Sequence, residues 1–263
     1  MKSGFVSIIG RPNTGKSTLL NTILNNHIAI VSDVAGTTRN TIQGVYNDED
    51  TQIVFIDTPG IHKPKDKLGK YLNRQSYNAL HDIDVILFIV DASQGIGKGD
   101  KFIIDSFKNT ELPVILVLNK IDKLNDEGII KAISESKDLY NFAEIIPISA
   151  KKNDNVNRLL KVIKKYLTDN IIYYDDGTIT NTSIYFMISE LVREKILNLT
   201  TEEVPHSVTC ATTYYKDKGH IVDIYVDVDV ASRRARTARS ARSGGAHHHA
   251  PPAGTAAEKA TEE

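Results

Sequence analysis

The chain carries near its N-terminus the sequence Gly10-Arg11-Pro12-Asn13-Thr14-Gly15-Lys16-Ser17, which fits the phosphate-loop pattern G-x-x-x-x-G-K-[ST]. Glycines let such a backbone wrap closely round a phosphate, so that successive N–H groups point at it. An apolar run at 5–9 precedes the pattern as a predicted strand, and a run with helical spacing from Thr18 to Leu24 follows it as part of a predicted helix, whose dipole adds a positive end. We therefore expect these residues to bind nucleotide, with Lys16 reaching the β- and γ-phosphates and the Ser17 hydroxyl ligating Mg²⁺.

Composition narrows the class of protein. The chain has 263 residues, of which 41% are hydrophobic, enough for one large or two smaller packed domains. Its net charge of -1 gives no general basic field for nucleic acid, so any such surface must be local. The only cysteine, Cys210, excludes an internal disulfide framework and fits a reducing compartment. No apolar stretch has the length of a transmembrane helix and no signal peptide is evident, so we expect a cytoplasmic protein.

Short β-rich runs alternate with amphipathic stretches over residues 1–168. The runs 85–90 and 114–118 are continuously apolar, which is typical of parallel strands covered on both faces. Strand alternating with helix predicts an α/β fold: a doubly wound, mostly parallel sheet that binds ligand at the carboxyl ends of its strands. We predict strands at 4–9, 41–47, 51–56, 84–91, 113–118 and 144–148, and helices at 16–25, 67–81, 98–109, 126–138 and 154–167.

The composition changes twice after this domain. Apolar residues repeat at three and four positions over 184–199, with Thr182 or Ser183 as the helix cap, and two strand-like segments follow on either side of Lys216–Gly219. The last 33 residues lack Ile, Leu, Val, Phe, Tyr and Asn, so they cannot bury enough apolar surface to offset their ordering entropy. We predict a linker at 169–181, a partial α+β second domain at 182–230 and a disordered Ala/Arg-rich tail at 231–263.

Two further motifs point to the γ-phosphate and its metal. Asp57-Thr58-Pro59-Gly60 follows a predicted strand, where a carboxylate can hold Mg²⁺ through water and the Gly60 N–H can bond the γ-phosphate. Thr38 lies in the loop 32–40, where a hydroxyl can ligate Mg²⁺ only when the γ-phosphate is present. We expect this loop and residues 60–66 to move on hydrolysis. A plain polar surface loop remains the alternative for Thr38.

The remaining motifs point to the base. Asn119-Lys120-Ile121-Asp122 ends a predicted strand: Asp122 would accept hydrogen bonds from guanine N1–H and N2–H₂, and Asn119 would tie the base-binding loops together. Lys120 would lay its stem along the base. Adenine lacks both donors and would leave the carboxylate unpaired, so discrimination on the order of 10²–10⁴ is expected. Ser149-Ala150-Lys151 would present backbone N–H groups to the guanine O6.

Five motifs in this order, each at a strand end, resemble the translation-factor class of small GTPases and the Era family in particular. The segments Tyr173–Thr180, Phe186–Leu197 and Glu203–Val208 are similar to the linker and opening helix of that family's second domain, and the resemblance covers residues 1–228. It implies a GTPase that acts in assembly of the small ribosomal subunit, a C-terminal KH domain that binds ribosomal RNA, and peripheral membrane association.

The chain departs from that pattern in its second domain. A KH domain clamps RNA with a G-x-x-G loop between helices. Only helix–strand–strand of such a domain is visible here, and Gly244-Gly245 has neither the spacing nor flanking helices. RNA binding is therefore expected from the family rather than from a motif. The hairpin at 206–230 is expected to expose an apolar face and an unpaired edge.

Two residues bear on how hydrolysis proceeds. Ile61 follows Gly60 at the position where Ras-type enzymes place a water-orienting Gln, and resemblance to the Era family makes a hydrophobic residue expected there. Asn13 resembles the phosphate-loop Asn that coordinates K⁺ in related GTPases, so K⁺ is a candidate second cofactor beside Mg²⁺. The alternative for Asn13 is a side chain that stabilises the loop.

The sequence thus predicts an enzyme that hydrolyses GTP to GDP and phosphate, with Lys16, Thr38 and Gly60 as catalytic residues and Ser17, Thr38 and Asp57 as the metal site. Ribosomal RNA and the small ribosomal subunit are the expected partners, and the location is the cytoplasm or the inner face of the cell membrane. Two alternatives stay open: a nucleotide-gated RNA- or ribosome-binding module with negligible turnover, and a related GTPase that acts on transfer RNA or the large subunit.

Overall fold

The computed structural model describes residues 1–32, 34, 37–62, 67–80, 82–200 and 207–230, with only the backbone of Lys67 and Leu68. The predicted disordered tail at 231–263 lies outside these residues. Parts of the two loops that are expected to move on hydrolysis also lie outside the described residues: 33, 35 and 36 of the loop 32–40, and 63–66 of the loop 60–66. Residues Met1–Asp229 form one compact unit. The boundaries predicted at 168 and 182 stay predictions.

A six-stranded sheet forms the centre of the fold, in the order β2-β3-β1-β4-β5-β6. Only β2 runs antiparallel, paired with β3, and every other pair is parallel, which confirms the predicted α/β class. Every residue of β3, β4 and β5 is buried, as expected for parallel strands covered by helices on both faces. The strands are β1 (Lys2–Gly10), β2 (Ile42–Asn47), β3 (Thr51–Asp57), β4 (Val85–Asp91), β5 (Val114–Asn119) and β6 (Glu144–Pro147).

Helices cover both faces of this sheet. They are α1 (Lys16–Leu24), α2 (Lys67–Asn78), α3 (Lys98–Ser106), α4 (Asp126–Ser136) and α5 (Val156–Tyr166), with a 3₁₀ turn at Ile121–Lys123. One apolar core packs α1 and α5 against the sheet, and a second core packs α3 and α4 against the opposite face. Helix α5 begins two residues later than predicted because Asn155 takes a left-handed φ of 59°.

The predicted linker is held along the outer edge of β2. The Val45 N–H donates to Ile179 O at 2.8 Å, and the Thr180 hydroxyl donates to Gln43 O at 2.6 Å. Farther back, the Gln52 side chain accepts from the backbone N–H groups of Tyr173 and Tyr174 at 2.7 and 3.0 Å. The linker therefore satisfies polar groups that an edge strand would otherwise leave open.

Beyond the linker come α6 (Ile184–Leu199), β7 (Val208–Asp217) and β8 (Val222–Val230), in which β7 and β8 form a two-stranded sheet. Ser183 caps α6, since its hydroxyl accepts from the Phe186 N–H at 3.3 Å. β8 exposes large apolar side chains of one face, in agreement with the expected open face: Val222, Ile224, Val228 and Val230. None of the described helices has the length and apolar character needed to span a bilayer.

Candidate functional site

The phosphate loop joins the end of β1 to the start of α1. Gly15 precedes α1 with φ 96° and offers no side chain to cap it, so the first N–H groups of the helix are left for an anion. A Cβ on Gly15 would lie 2.3 Å from Asn119 Nδ2, so only glycine fits where this loop meets the loop after β5. The Thr14 hydroxyl closes the loop by donating to Arg11 O at 3.0 Å.

Lys16 is buried beneath this loop. Its ammonium group donates to Gly10 O at 3.2 Å and to Arg11 O at 2.8 Å. Burial lowers the pKa of Lys16 to about 8, against an opposing influence of the nearby Asp57 carboxylate. Phosphate oxygens would supply negative charge to compensate this buried cation. The position of Lys16 therefore suits its predicted role at the β- and γ-phosphates.

The three predicted metal ligands lie together. The Ser17 hydroxyl donates to Asp57 Oδ2 at 2.6 Å, and Ser17 Oγ lies 3.1 Å from Thr38 Oγ1. The other carboxylate oxygen of Asp57, Oδ1, is buried and has no hydrogen-bond partner among the residues that the structure describes. Burial raises the pKa of Asp57 to about 6, although Lys16 opposes the shift. Two hydroxyls and a buried, under-bonded carboxylate are the oxygen donors that Mg²⁺ prefers, so these residues fit the ion.

Gly60 lies against the phosphate loop. A Cβ on it would come within 2.5 Å of Pro12 N, and the next N–H, that of Ile61, donates to Gly10 O at 3.0 Å. The Ile61 side chain is fully buried in the core on the α3 side of the sheet, so it takes no part at the phosphates. The Thr58 hydroxyl donates to Ile8 O at 2.8 Å. This loop is therefore fixed to the strands it follows.

A cavity of about 460 Å³ adjoins the phosphate loop at the ends of β5 and β6. Asn119 organises it: its Nδ2 donates to Thr14 O at 2.8 Å, and its Oδ1 accepts from the N–H groups of Lys120 and Ala150 at 2.8 and 3.0 Å. The structure thus brings the loops together through Asn119, as the motif suggests. The cavity is lined by Asn13, Gly15, Thr18, Val31, Ser32, Asn119, Lys120, Asp122, Lys123, Ala150 and Lys151.

Asp122 faces this cavity and is oriented by Ser149, whose hydroxyl donates to Asp122 Oδ1 at 2.5 Å. Ser149 is itself fully buried, and Ile121 anchors the intervening turn by donating to Ile148 O at 3.2 Å. The Ala150 N–H is engaged by Asn119 rather than open to the cavity. The role of the 149–151 backbone at the base stays a prediction.

Asn13 and Lys120 meet between the phosphate loop and the base cavity. Asn13 has a φ of 63°, and its carbonyl oxygen accepts from Lys120 Nζ at 2.6 Å. The same ammonium pairs with Asp91 Oδ2 at 2.8 Å. Burial would raise the pKa of Asp91, but hydrogen bonds from Lys120 and Ser93 outweigh it and lower that pKa below the usual aspartate value. Asp91 was not predicted from the sequence, although a carboxylate at the end of the apolar strand β4 was a usable signal.

A second group that was not predicted from the sequence lies on α6. Arg193 Nη2 donates to Thr37 O at 2.6 Å, and Glu194 Oε1 accepts from the Val31 N–H at 3.0 Å. Both residues are almost fully buried, as is Glu190. The signal was available: charges at 190, 193 and 194 share a helical stripe with the buried Leu197.

Comparison with known proteins places this site in a family. The family model described as a 50S ribosome-binding GTPase matches residues 5–120. A crystal structure of Era in complex with MgGDPNP and nucleotides 1506–1542 of 16S ribosomal RNA is 39% identical. It covers 89% of this chain and 80% of its own, with a TM-score of 0.85.

Two further structures extend the comparison. A variant of Aquifex aeolicus Era bound to GDP·AlF₄⁻ is also 39% identical, with coverage of 89% and 81% and a TM-score of 0.84. Translation elongation factor SelB from Methanococcus maripaludis, in complex with a GTP analogue, shares 24% identity over 68% of this chain and 36% of its own. Its TM-score of 0.51 shows a common fold. By its identity to Era over nearly nine-tenths of its length, and by its phosphate-loop α/β fold, the chain belongs to the Era family of GTPases.

Proposed function

We propose that this protein is a GTP-hydrolysing switch that acts on ribosomal RNA during assembly of the small ribosomal subunit. The observation that carries the proposal is the continuity of the site. The cavity around Ser17 and Thr38 and the cavity around Asp122 share lining residues, so one nucleotide can span both. The shared residues are Asn13, Gly15, Thr18, Val31 and Ser32.

The chain's own groups account for binding and orientation of GTP. The N–H groups of the phosphate loop and of the first turn of α1 hold the phosphates, while Lys16 neutralises their charge. Asp122, oriented by Ser149, selects guanine at the other end. With both ends fixed, the γ-phosphate is presented for in-line attack by water, and catalysis consists of positioning and charge stabilisation.

Mg²⁺ would be held by the Ser17 and Thr38 hydroxyls, with Asp57 acting through water. When bound, the ion supplies positive charge to the β- and γ-phosphate oxygens. Thr38 lies in the loop between α1 and β2, and Gly60 lies against Pro12 of the phosphate loop. Both are positioned to distinguish GTP from GDP, which makes the two loops the moving parts of the switch.

We further propose that K⁺ accelerates hydrolysis with Asn13 among its ligands. Ile61 is buried, so its side chain cannot orient water, and an added cation beside the phosphates would supply stabilisation that Ras-type enzymes obtain otherwise. Turnover is expected to be about tenfold or more faster in KCl than in NaCl at equal ionic strength. Asn13→Ala should remove that difference, and Asn26→Ala, at an exposed turn after α1, should keep it. Equal turnover of the unaltered protein in the two salts would contradict the proposal.

The two comparisons that name a ribosomal partner match different lengths of this chain. The 50S-binding family model matches only residues 5–120, within the nucleotide-binding region. Era with its 16S ribosomal RNA fragment matches 89% of the chain, including the region after the linker. The longer match favours the small subunit. We therefore propose 16S ribosomal RNA as the partner.

The test measures steady-state phosphate release from Mg²⁺·GTP, alone and with small ribosomal subunits. We expect measurable turnover, changed severalfold by small subunits and unchanged by large subunits or transfer RNA. Turnover indistinguishable from buffer, together with nucleotide-dependent subunit binding, would instead support a binding module. A response to large subunits or transfer RNA alone would support a related GTPase with a different target.

We also propose a cytoplasmic location with peripheral association at the inner face of the cell membrane, which the family resemblance implies. Salt-extractable recovery in the membrane fraction of lysed cells, beside a soluble pool, is the expected result. Recovery in neither the soluble nor the salt-extractable fraction would contradict it.

A further inference from the structure

Helix α6 presents a buried charged face that nucleotide binding does not explain. Glu190, Arg193 and Glu194 are only 7%, 3% and 4% exposed. Charged side chains are almost never buried to this extent unless they are paired. These three bind one another or the loop between α1 and β2, so their burial serves that loop.

Arg193 is oriented by its neighbour one helical turn earlier. Its Nε donates to Glu190 Oε1 at 2.8 Å and its Nη2 donates to Glu190 Oε2 at 2.6 Å, a two-point contact that fixes the guanidinium plane. With the plane fixed, Nη2 also donates to Thr37 O at 2.6 Å. The contact joins residues 156 positions apart in the chain.

The acceptor of this bond belongs to the peptide that joins Thr37 to Thr38. Thr38 Oγ1 lies 3.1 Å from Ser17 Oγ, at the metal site. The Thr37 side chain is held as well, since its hydroxyl donates to Val34 O. Fixing this peptide group leaves few orientations for the Thr38 hydroxyl, so Arg193 acts on the metal site through one peptide bond.

Glu194 holds the other end of the same loop. Its Oε1 accepts from the Val31 N–H and its Oε2 pairs with His27 Nε2, both at 3.0 Å. Leu197 packs with Ile30 in a small apolar cluster, and Val34, which lies between Val31 and Thr37, packs against that cluster. Helix α6 therefore contacts the loop at several separate points, so the packing of the helix against the loop does not depend on a single hydrogen bond.

We propose that Arg193, oriented by Glu190, is a positioning residue for the Thr38 metal ligand. Packing of α6 against the loop is then part of the GTP-bound geometry. This inference rests on the proposed function, because it assumes that Thr38 binds the metal of Mg²⁺·GTP. GDP lacks the γ-phosphate that brings Thr38 to the metal, so Arg193 contributes to GTP binding and little to GDP binding.

Coupling between two sites is reciprocal. If α6 packing favours Thr38 at the metal, Mg²⁺·GTP must favour α6 packing by the same factor. The helix that opens the second domain thus responds to the nucleotide directly, through Arg193, rather than through movement of the linker.

The test compares Arg193→Met with the unaltered protein. For each protein it measures the affinity for a non-hydrolysable GTP analogue and the affinity for GDP, both in the presence of Mg²⁺. Methionine keeps an unbranched, apolar side chain and removes the donors. We expect affinity for the analogue to fall about tenfold and affinity for GDP to change less than twofold, with a higher Mg²⁺ concentration needed for half-maximal hydrolysis. Arg193→Lys, which keeps one cationic donor, should recover part of the loss.

Lys195→Met is the matched control, since Lys195 is an exposed residue of the same helix. It should leave both affinities unchanged. A merely structural Arg193 would lower the melting temperature and leave the ratio of analogue to GDP affinity as in the unaltered protein, and that result would overturn the inference. Failure of the unaltered protein to prefer guanine nucleotides would instead overturn the proposed function.

If Arg193→Met does not fold, hydrogen exchange on the unaltered protein decides the matter. Amides of α6 are expected to exchange more slowly with Mg²⁺ and the GTP analogue than with Mg²⁺ and GDP. Equal exchange of α6 in the two states would overturn the inference.

Discussion

Asp122→Asn is expected to weaken GTP binding by about 10²–10⁴ and to make xanthosine triphosphate the preferred nucleotide. The Asp122 carboxylate faces the base cavity and, once ionised, can only accept hydrogen bonds, which matches the N1–H and N2–H₂ donors of guanine. An amide turns one acceptor into a donor, and xanthine offers a carbonyl where guanine offers its amino group. The Ser149 hydroxyl can still donate to the amide oxygen, so the local fold should survive.

Equilibrium binding of both nucleotides to both proteins measures this exchange. Asp138→Asn removes the same charge at an exposed site beyond α4 and serves as the control, with no expected change of preference. Unchanged GTP affinity in the Asp122 variant would remove the guanine assignment, and with it the choice of GTP as substrate.

Asp57→Asn should have two opposite effects. It should lower Mg²⁺-dependent hydrolysis by more than about 10², because it removes the charged oxygen donor of the metal site. It should also stabilise the protein free of metal and nucleotide at pH 7.5. Burial raises the pKa of Asp57 from 3.8 to about 6, so an ionised Asp57 is costly in the folded state. The expected gain is on the order of 1–2 kcal/mol, since the amide still leaves a buried polar atom without a partner.

The sign of the pH dependence follows from which state loses its proton first. As pH rises from about 4 to 6, the unfolded chain ionises Asp57 before the folded protein does, so the unaltered protein loses stability over that range. The stability advantage of the Asp57→Asn variant should therefore be near zero at pH 4.5 and complete by pH 7.5. Chemical denaturation with a chelator present measures it, with the exposed Asp105→Asn as control. An advantage of equal size at both pH values would contradict the burial argument.

Most of the nucleotide site was predictable because its signals are local. Each motif is a short run that directly follows an apolar strand, and strand ends of a parallel sheet converge at one edge. The order of the motifs therefore placed Lys16, Asp57 and Asn119 at that edge, and the structure has them there. Thr38 was predicted to join Ser17 at the metal, with a plain polar surface loop as the alternative, and the structure places the two hydroxyl oxygens 3.1 Å apart.

The contacts that the sequence did not reveal join distant parts of the chain. Arg193 and Thr37 meet only once α6 has packed against the loop, and no local pattern sets the orientation of that helix. The linker is similar: its polar composition predicted a connecting segment, but its attachment depends on the Gln43 carbonyl of β2 and the Gln52 side chain of β3 meeting it at the right register. A polar side chain whose partner is distant in sequence shows that partner only once the register of the strands is fixed.

The attachment of the linker to β2 has a consequence for the nucleotide-binding region on its own. A fragment severed at residue 168 would lose the chain that occupies Val45 N and Gln43 O. Its outermost strand would then offer free hydrogen-bonding groups on which a second copy can add a strand of its own, the first step of self-association. Besides connecting two regions, this short segment covers a strand edge on which a second copy could otherwise pair.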